Sequence, residues 1–337
     1  MDDFFVPTTL GRLHVRAVGN GPPAVLWHSM FVDSAAWDRV VPGLAAHRRL
    51  FIVDAPWCGE SDKSAEPADI AACADAAVEI VATVRDLTGS AAVDWVGNAW
   101  GGHVGLHLAA VEPTLVTTLV AMSAPTGPIE RDLRRRIRLL LPIYRVIGAR
   151  GPVWSAIVAT LFTDDTRRDD PEAIDLLRRS LRVSGRSMIR AVRTAILHRT
   201  DLTWAAEAIT CPVLFVTTDD RGEWTPEEAR SVARTMHDAR EITVRGARVI
   251  PSDRAGGSDG RRGAGLLGGD RTTIATSEGS RDRHLSDCHA GWRLLGGLYQ
   301  QIRRTRPRRR ACRSVAARPP ADTRRSRHAP RCRRPAG

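Results

Sequence analysis

The chain has 337 residues, 43% of them apolar, enough for one large domain or two small ones with a sizeable core. It contains no run of 18 apolar residues, and its start, Met1-Asp2-Asp3, is acidic where a signal peptide is basic; a cytoplasmic protein with no membrane partner is expected. The net charge of +12 is concentrated: residues 246–337 hold 22 Arg and 7 acidic residues, while the preceding 245 hold 28 basic and 31 acidic, so the globular part is slightly acidic and does not read as a nucleic-acid-binding domain.

Leu13–Val18 alternates apolar and polar residues, the period of a half-exposed strand. The turn Gly19–Pro23 leads into a short buried strand, Ala24–Trp27, and then a loop, His28–Ser34. A helix is expected over Ala35–Ala46, with Asp33 or Ser34 as its N-cap. Leu50–Asp54 reads as a third strand, Pro56–Asp62 as a loop with turn chemistry, and Ile70–Leu87 as a long helix. Ala91–Val96 is a further strand, His103–Ala110 a helix, and Leu115–Met122 another strand. This alternation implies a mostly parallel, doubly wound sheet with helices on both faces. Ligands bind at the carboxyl ends of such strands, where the loops after Trp27, Asp54, Gly97 and Met122 lie.

From Gly127 to Thr210 the sequence reads as helices without a strand. Ile129–Leu141 is amphipathic and basic, with Arg131, Arg134, Arg135, Arg136 and Arg138; acidic residues recur nearby at Asp164, Asp165, Asp169 and Asp170, so it reads as a solvated face. Pro142, Gly151-Pro152 and Pro171 are expected to break the segment. Trp154, Phe162 and Trp204 are candidate walls of an apolar pocket, with core packing an equal reading. Sheet chemistry resumes at Val213–Thr217, followed by the loop Thr218–Gly222, a helix over Pro226–Met236 and a final strand, Glu241–Val244. After Pro251 the composition breaks into Gly, Arg, Ser, Asp and Pro, which reads as a disordered tail. Lys occurs once, at Lys63, against 49 Arg; this fits a GC-rich coding bias, and the break near residue 251 fits a shifted reading frame. Leu285–Ile302 is the one tail piece that reads as a short helix.

Between the fourth strand and its helix stands Val96-Gly97-Asn98-Ala99-Trp100-Gly101-Gly102. Glycines two places either side of a central residue permit a sharp strand-to-helix turn that lifts the central side chain above the sheet. His28-Ser29-Met30, Asp54-Ala55-Pro56-Trp57-Cys58-Gly59-Glu60-Ser61-Asp62 and Gly97–Gly101 occur in order, with a helical insert behind them. In this the chain resembles the α/β-hydrolase family, with a cap of the esterase and epoxide-hydrolase kind, over roughly positions 5–251. The resemblance implies an α/β-hydrolase core over 1–127 and 211–251 and a helical cap over 128–210; composition makes 252–337 a low-complexity Arg-rich tail.

The resemblance also implies a nucleophile, an acid and a His in chain order. Ala99 stands at the nucleophile position, where a methyl group cannot attack a carbonyl. Asp220 matches the acid, with Asp219 the alternative. Arg248 stands where the His belongs and stays protonated at neutral pH. The backbone oxyanion hole survives such losses; the resemblance places its donors at the amides of Met30, in the loop of His28 and Ser29, and of Trp100, the residue after Ala99. Ser29 is weighed as a displaced nucleophile without a base, and Cys58 as a thiol with no neighbour to lower its pKa. His103 and His107, one helical turn apart, lack an obvious third metal ligand. The six cysteines show no metal spacing, and neither a metal nor a cofactor is expected.

Three functions follow. The first is a protein of hydrolase ancestry with a degenerate triad, binding a small apolar or carbonyl-containing ligand under the cap. The second is an active hydrolase of ester-like bonds with a rearranged site that uses Asp220 with Ser29 or His103. The third is a binder of nucleic acid or an acidic partner through the tail. Nucleic acid is not the expected partner, because the tail after Tyr299 has no aromatic residue for stacking.

Overall fold

A computed structural model describes residues 2–63, 68–220, 223–245 and 247–248, all within one compact unit, Met1–Arg306. The chain begins with β1 (Asp2–Thr8), β2 (Gly11–Val18) and β3 (Pro23–Trp27), then a 3-10 turn at Ser34–Trp37. It continues through α1 (Val41–Ala45), β4 (Arg49–Val53), α2 (Ile70–Thr88), β5 (Val93–Asn98), α3 (Trp100–Val111) and β6 (Val116–Met122). A helical insertion follows: α4 (Arg131–Ile147), α5 (Gly151–Leu161), α6 (Asp164–Asp169), α7 (Pro171–Ser184), α8 (Met188–Val192) and α9 (Thr203–Ala208). The described part closes with β7 (Val213–Thr218), α10 (Pro226–Thr235) and β8 (Ala239–Val244).

The eight strands form one sheet in the order β1-β2-β4-β3-β5-β6-β7-β8. β2 pairs antiparallel with β1 and β4; every later pairing is parallel. The mostly parallel sheet read from the alternation is therefore present. Both faces are covered, so β3 is apolar at every position. Val25 and Trp27 join the cluster that includes Ile80 and Val84 of α2 and Val104 of α3, whereas Ala24 and Leu26 join Trp37, Val40 and Leu44 on the other face. α2 starts where the Asp69 carboxylate accepts the Ala72 amide (2.8 Å) and ends at Gly89, whose φ of 69° is the left-handed stop that glycine supplies without strain.

Three local readings are corrected. The sequence pattern does not announce β1, because Asp2–Thr8 is mostly exposed and carries Pro7; it is an edge strand, where a missing amide is tolerated. The single helix expected over Ala35–Ala46 is two pieces. Asp33 caps the first, accepting from the Ala35 amide, and Pro42 has no amide with which to extend that first turn. Conversely, Pro142 does not break α4 but lies inside it. Pro142 and Arg138, whose carbonyl loses its donor, are both exposed, so water can satisfy the freed group. Pro152 and Pro171 do start helices, at the first turns of α5 and α7. The readings made for Arg221-Gly222, Gly246, Pro251, the tail 252–337 and its Leu285–Ile302 helix lie outside the described residues.

Candidate functional site

The sharp turn between β5 and α3 is built as its glycines require. A Cβ on Gly97 would run into the Gly101 carbonyl, and one on Gly101 into the Trp27 carbonyl, so α3 approaches the sheet at backbone distance. Between them Ala99 is held at φ 46°, ψ −101°, a strained conformation for a residue with a Cβ. Its amide donates to the Met122 carbonyl (2.7 Å) and its carbonyl accepts the His103 amide (3.0 Å). Ala99 is half-buried.

Around the turn, aromatic rings fix the surface. Trp100 is buried and stacks on Trp57 (centroids 6.3 Å apart, 6° between planes), with Trp27 edge-on at 6.2 Å. Phe31 and Trp57 also take positive φ values, 73° and 67°, so strain collects in the loops at the carboxyl edge of the sheet. His28 is buried, and both ring nitrogens are spent on backbone: Nδ1–H donates to the Ser29 carbonyl, and Nε2 accepts the Ala55 amide (2.9 Å). Burial holds its pKa below the usual value. The ring braces the loop against the segment after β4 and leaves no nitrogen for a ligand. Ser29 Oγ is buried without a hydrogen-bond partner among the described residues. The adjacent imidazole, His28, is spent on backbone and does not serve it as a base. Met30, the next residue, is half-buried and faces the cavity described below.

The acid position and the residue after the last strand are brought together. Arg248 donates from its NH2 nitrogen to the Asp220 carboxylate at 2.9 Å. The Thr218 hydroxyl donates to the Arg248 carbonyl (2.6 Å), fixing that segment at the carboxyl end of β7. The NH1 nitrogen reaches the Ala159 carbonyl on α5, so one guanidinium ties the core loop to the helical insertion. Asp219 is held through its backbone amide to the Val244 carbonyl (3.3 Å).

The remaining candidates are occupied or inert. His103 is buried and its Nε2–H donates to the Pro125 carbonyl (3.1 Å); burial and the Arg199 charge push its pKa well down, so it stays neutral. His107 sits edge-on to Trp204 (5.4 Å). Among the described residues, no three His, Cys, Asp or Glu side chains gather as a metal site. Burial pushes the Cys58 thiol well above its usual pKa, so it is no nucleophile at neutral pH.

A cavity of about 330 Å³ lies between α4, α5, α8 and the Met30-Phe31 loop. Its walls are mainly apolar, among them Leu133, Ile137, Tyr144 and Ile157, with Arg136 and Glu223 as the charged exceptions. Trp154, Phe162 and Trp204 are not among its walls. Trp154 packs under the Arg178 guanidinium, Phe162 belongs to the core, and Trp204 is exposed beside His107. Two features escaped the sequence reading. Arg199 is buried and paired with Glu223 (2.8 Å), placing an ion pair at the cavity wall. Asp54 is a buried hub that accepts from the Ser34 amide (2.7 Å), the Glu60 amide (3.0 Å) and His14 Nδ1 (2.9 Å).

Residues 22–144 match the model of the family described as alpha/beta hydrolase fold. The chain is 32% identical over 124 residues to a pimeloyl-(acyl-carrier protein) methyl ester esterase of Vibrio campbellii, covering 36% of this chain and 45% of that one. It is 30% identical over 113 residues to a protein of the same description from Xanthomonas campestris pv. campestris, covering 34% and 41%. It thus spans less than half the length of these curated relatives. A thermophilic esterase from Thermogutta terrifontis superposes with a TM-score of 0.66 at 22% identity, over 74% of this chain and 92% of that one. The enol-lactonase from Burkholderia xenovorans LB400 does so with 0.65 at 21%, over 74% and 93%. Likeness at this identity establishes the fold.

Proposed function

We propose that this chain, which has the alpha/beta hydrolase fold, binds a small apolar or carbonyl-containing ligand in the cavity under its cap and does not cleave esters through a nucleophile at the elbow. The observation that carries the proposal is Ala99: the backbone of a nucleophile elbow, φ 46° and ψ −101°, with a methyl group at its apex. The acid-position residue Asp220 supports it, because its partner is Arg248, which cannot accept a proton at neutral pH. By the family resemblance, the backbone amides of Met30, which lines the cavity, and of Trp100 would be the donors for a ligand oxygen. A triad enzyme stripped of its triad keeps about 10³–10⁴-fold catalysis over water from such a hole and from binding. That is too little for ordinary ester turnover. The esterases and the lactonase found by comparison support a carbonyl-bearing small molecule as the ligand class.

The test combines two measurements on the full chain. A fluorophosphonate probe is expected to leave it unlabelled, while p-nitrophenyl butyrate raises its melting temperature without a burst of nitrophenol. Ile157→Trp, which fills the cavity, should remove the thermal shift. Stoichiometric labelling that disappears in Ser29→Ala, or turnover that disappears in His103→Ala, would replace this proposal with the rearranged active site.

A further inference from the structure

The helix α4 is apolar on two sides. Leu133, Ile137 and Tyr144 face the cavity, as the wall of an insertion helix should. Yet its outward side also carries large apolar groups: Leu139 is 66% exposed, Ile143 42%, Val146 78% and Ile147 37%. Positions 139, 143, 146 and 147 recur at helical spacing and form one stripe. The N-terminal half presents a different surface. Arg131, Arg135 and Arg138 are exposed there, Arg145 is exposed further on, and Asp132 is the helix's one acidic residue. A helix that carries large apolar residues on its outward side as well as on its cavity side belongs against an apolar phase there, and a contiguous exposed patch of this kind marks a contact surface.

We propose that the outer face of α4 docks on an anionic lipid surface, with the aliphatic stripe entering the acyl boundary and the arginines on the headgroups. Charge complementarity selects this occupant. The chain's own residues 246–337, with 22 Arg against 7 acidic residues, share the sign of the α4 arginines and would be repelled. A second copy docked symmetrically would bring the same arginines against each other. An anionic membrane attracts each arginine and accommodates a convex aliphatic ridge without a matching groove. The expectation from sequence that no membrane partner exists rested on spanning segments. Among the described residues no helix is long and apolar enough to cross a membrane, and α4 would lie on one instead. Behind it is the cavity wall, so a lipophilic ligand leaving the bilayer would meet the helix that lines its site.

Co-sedimentation of the full chain with phosphatidylcholine vesicles, with and without one quarter phosphatidylserine, tests this. Binding is expected with the anionic vesicles and to weaken with salt. Leu139→Ser combined with Val146→Ser should reduce it about tenfold or more, because both lose exposed apolar area and neither touches the core. Arg131→Gln with Arg135→Gln and Arg138→Gln should weaken it and flatten the salt dependence. Vesicle binding unchanged by the double serine variant would overturn the proposal, leaving attraction by charge elsewhere. Equal binding to soluble polyglutamate, insensitive to the same variant, would overturn it in favour of an acidic protein partner. A wild-type dimer in sedimentation velocity that the variant dissolves, without vesicle binding, would overturn it in favour of self-association.

Discussion

Asp54→Asn isolates the contribution of the buried carboxylate beneath the candidate site. Asp54 is buried, yet His14, the neighbouring His28 and the amides of Glu60 and Ser34 hold its pKa down at about 2, below the usual 3.8. Burial alone would raise it, so the hydrogen bonds and charges win. A depression of this size corresponds to about 2 kcal/mol at roughly 1.4 kcal/mol per unit. A carboxyl group depressed on folding stabilises above its unfolded pKa and loses that contribution as pH falls from about 4 to about 2. Wild type should therefore weaken across that window beyond what its other carboxylates explain. Asp54→Asn should start about 2 kcal/mol lower at pH 7 and lose less on acidification. The partner moves oppositely: Asp54 raises the His14 pKa, so the contribution of His14 is complete below 6.5 and fades as pH climbs through its raised value. Urea unfolding of both proteins at pH 7, 4 and 2.5 measures this. Parallel acid limbs in the two proteins would refute the assignment of that loss to Asp54. The consequence for the site is mechanical, since Asp54 joins the start of the Ser34–Trp37 turn to the loop carrying Trp57, the ring stacked on Trp100.

Two further outcomes bear on the elbow. Ala99→Ser alone should add no ester turnover, because Asp220 remains bound to Arg248; Ala99→Ser with Arg248→His should exceed either single variant at least tenfold in p-nitrophenyl acetate hydrolysis, and equal rates would remove Asp220 from the acid position. Gly101→Ala should cost about 3 kcal/mol in urea unfolding, because its Cβ meets the Trp27 carbonyl, a backbone atom that cannot swing away.

The elbow was legible because its two glycines recur at fixed spacing around one central residue: Gly97 meets the Gly101 carbonyl within the turn, while Gly101 meets the Trp27 carbonyl of the neighbouring strand. The mostly parallel sheet was legible because β3 is apolar throughout and β5, β6 and β7 are apolar-rich and almost wholly buried, as strands covered on both faces are. What failed was set by neighbours distant in sequence. Pro142 looked like a breaker, but an interior proline is tolerated where the freed carbonyl faces water, and exposure is a tertiary property. Trp154, Phe162 and Trp204 could not be assigned to a pocket without knowing how the insertion sits on the sheet. The Asp220–Arg248 contact follows from strand order, because β7 and β8 are paired with Thr218 opposite Val244. The Arg199–Glu223 pair joins two loops whose approach no local pattern announces.

The strain at Ala99 invites the question of what sustains it once no nucleophile stands there. A residue in this region costs of order 1–3 kcal/mol, and it persists only where its surroundings over-determine it. The surroundings here are packing, not chemistry. Besides Gly97 and Gly101, Gly102 leaves room for Ala124 and Gly105 leaves room for the Trp95 ring, so α3 lies in near-backbone contact with the sheet along its first two turns. That contact buries Trp100, Val104, Leu106 and Leu108. At roughly 1.5–3 kcal/mol for each large apolar side chain taken from water, the helix contributes several times what the turn costs. Relaxing Ala99 would require α3 to lift from the sheet and forfeit those contacts. The elbow geometry is therefore a requirement of the core, and it can outlast the reaction it would otherwise serve.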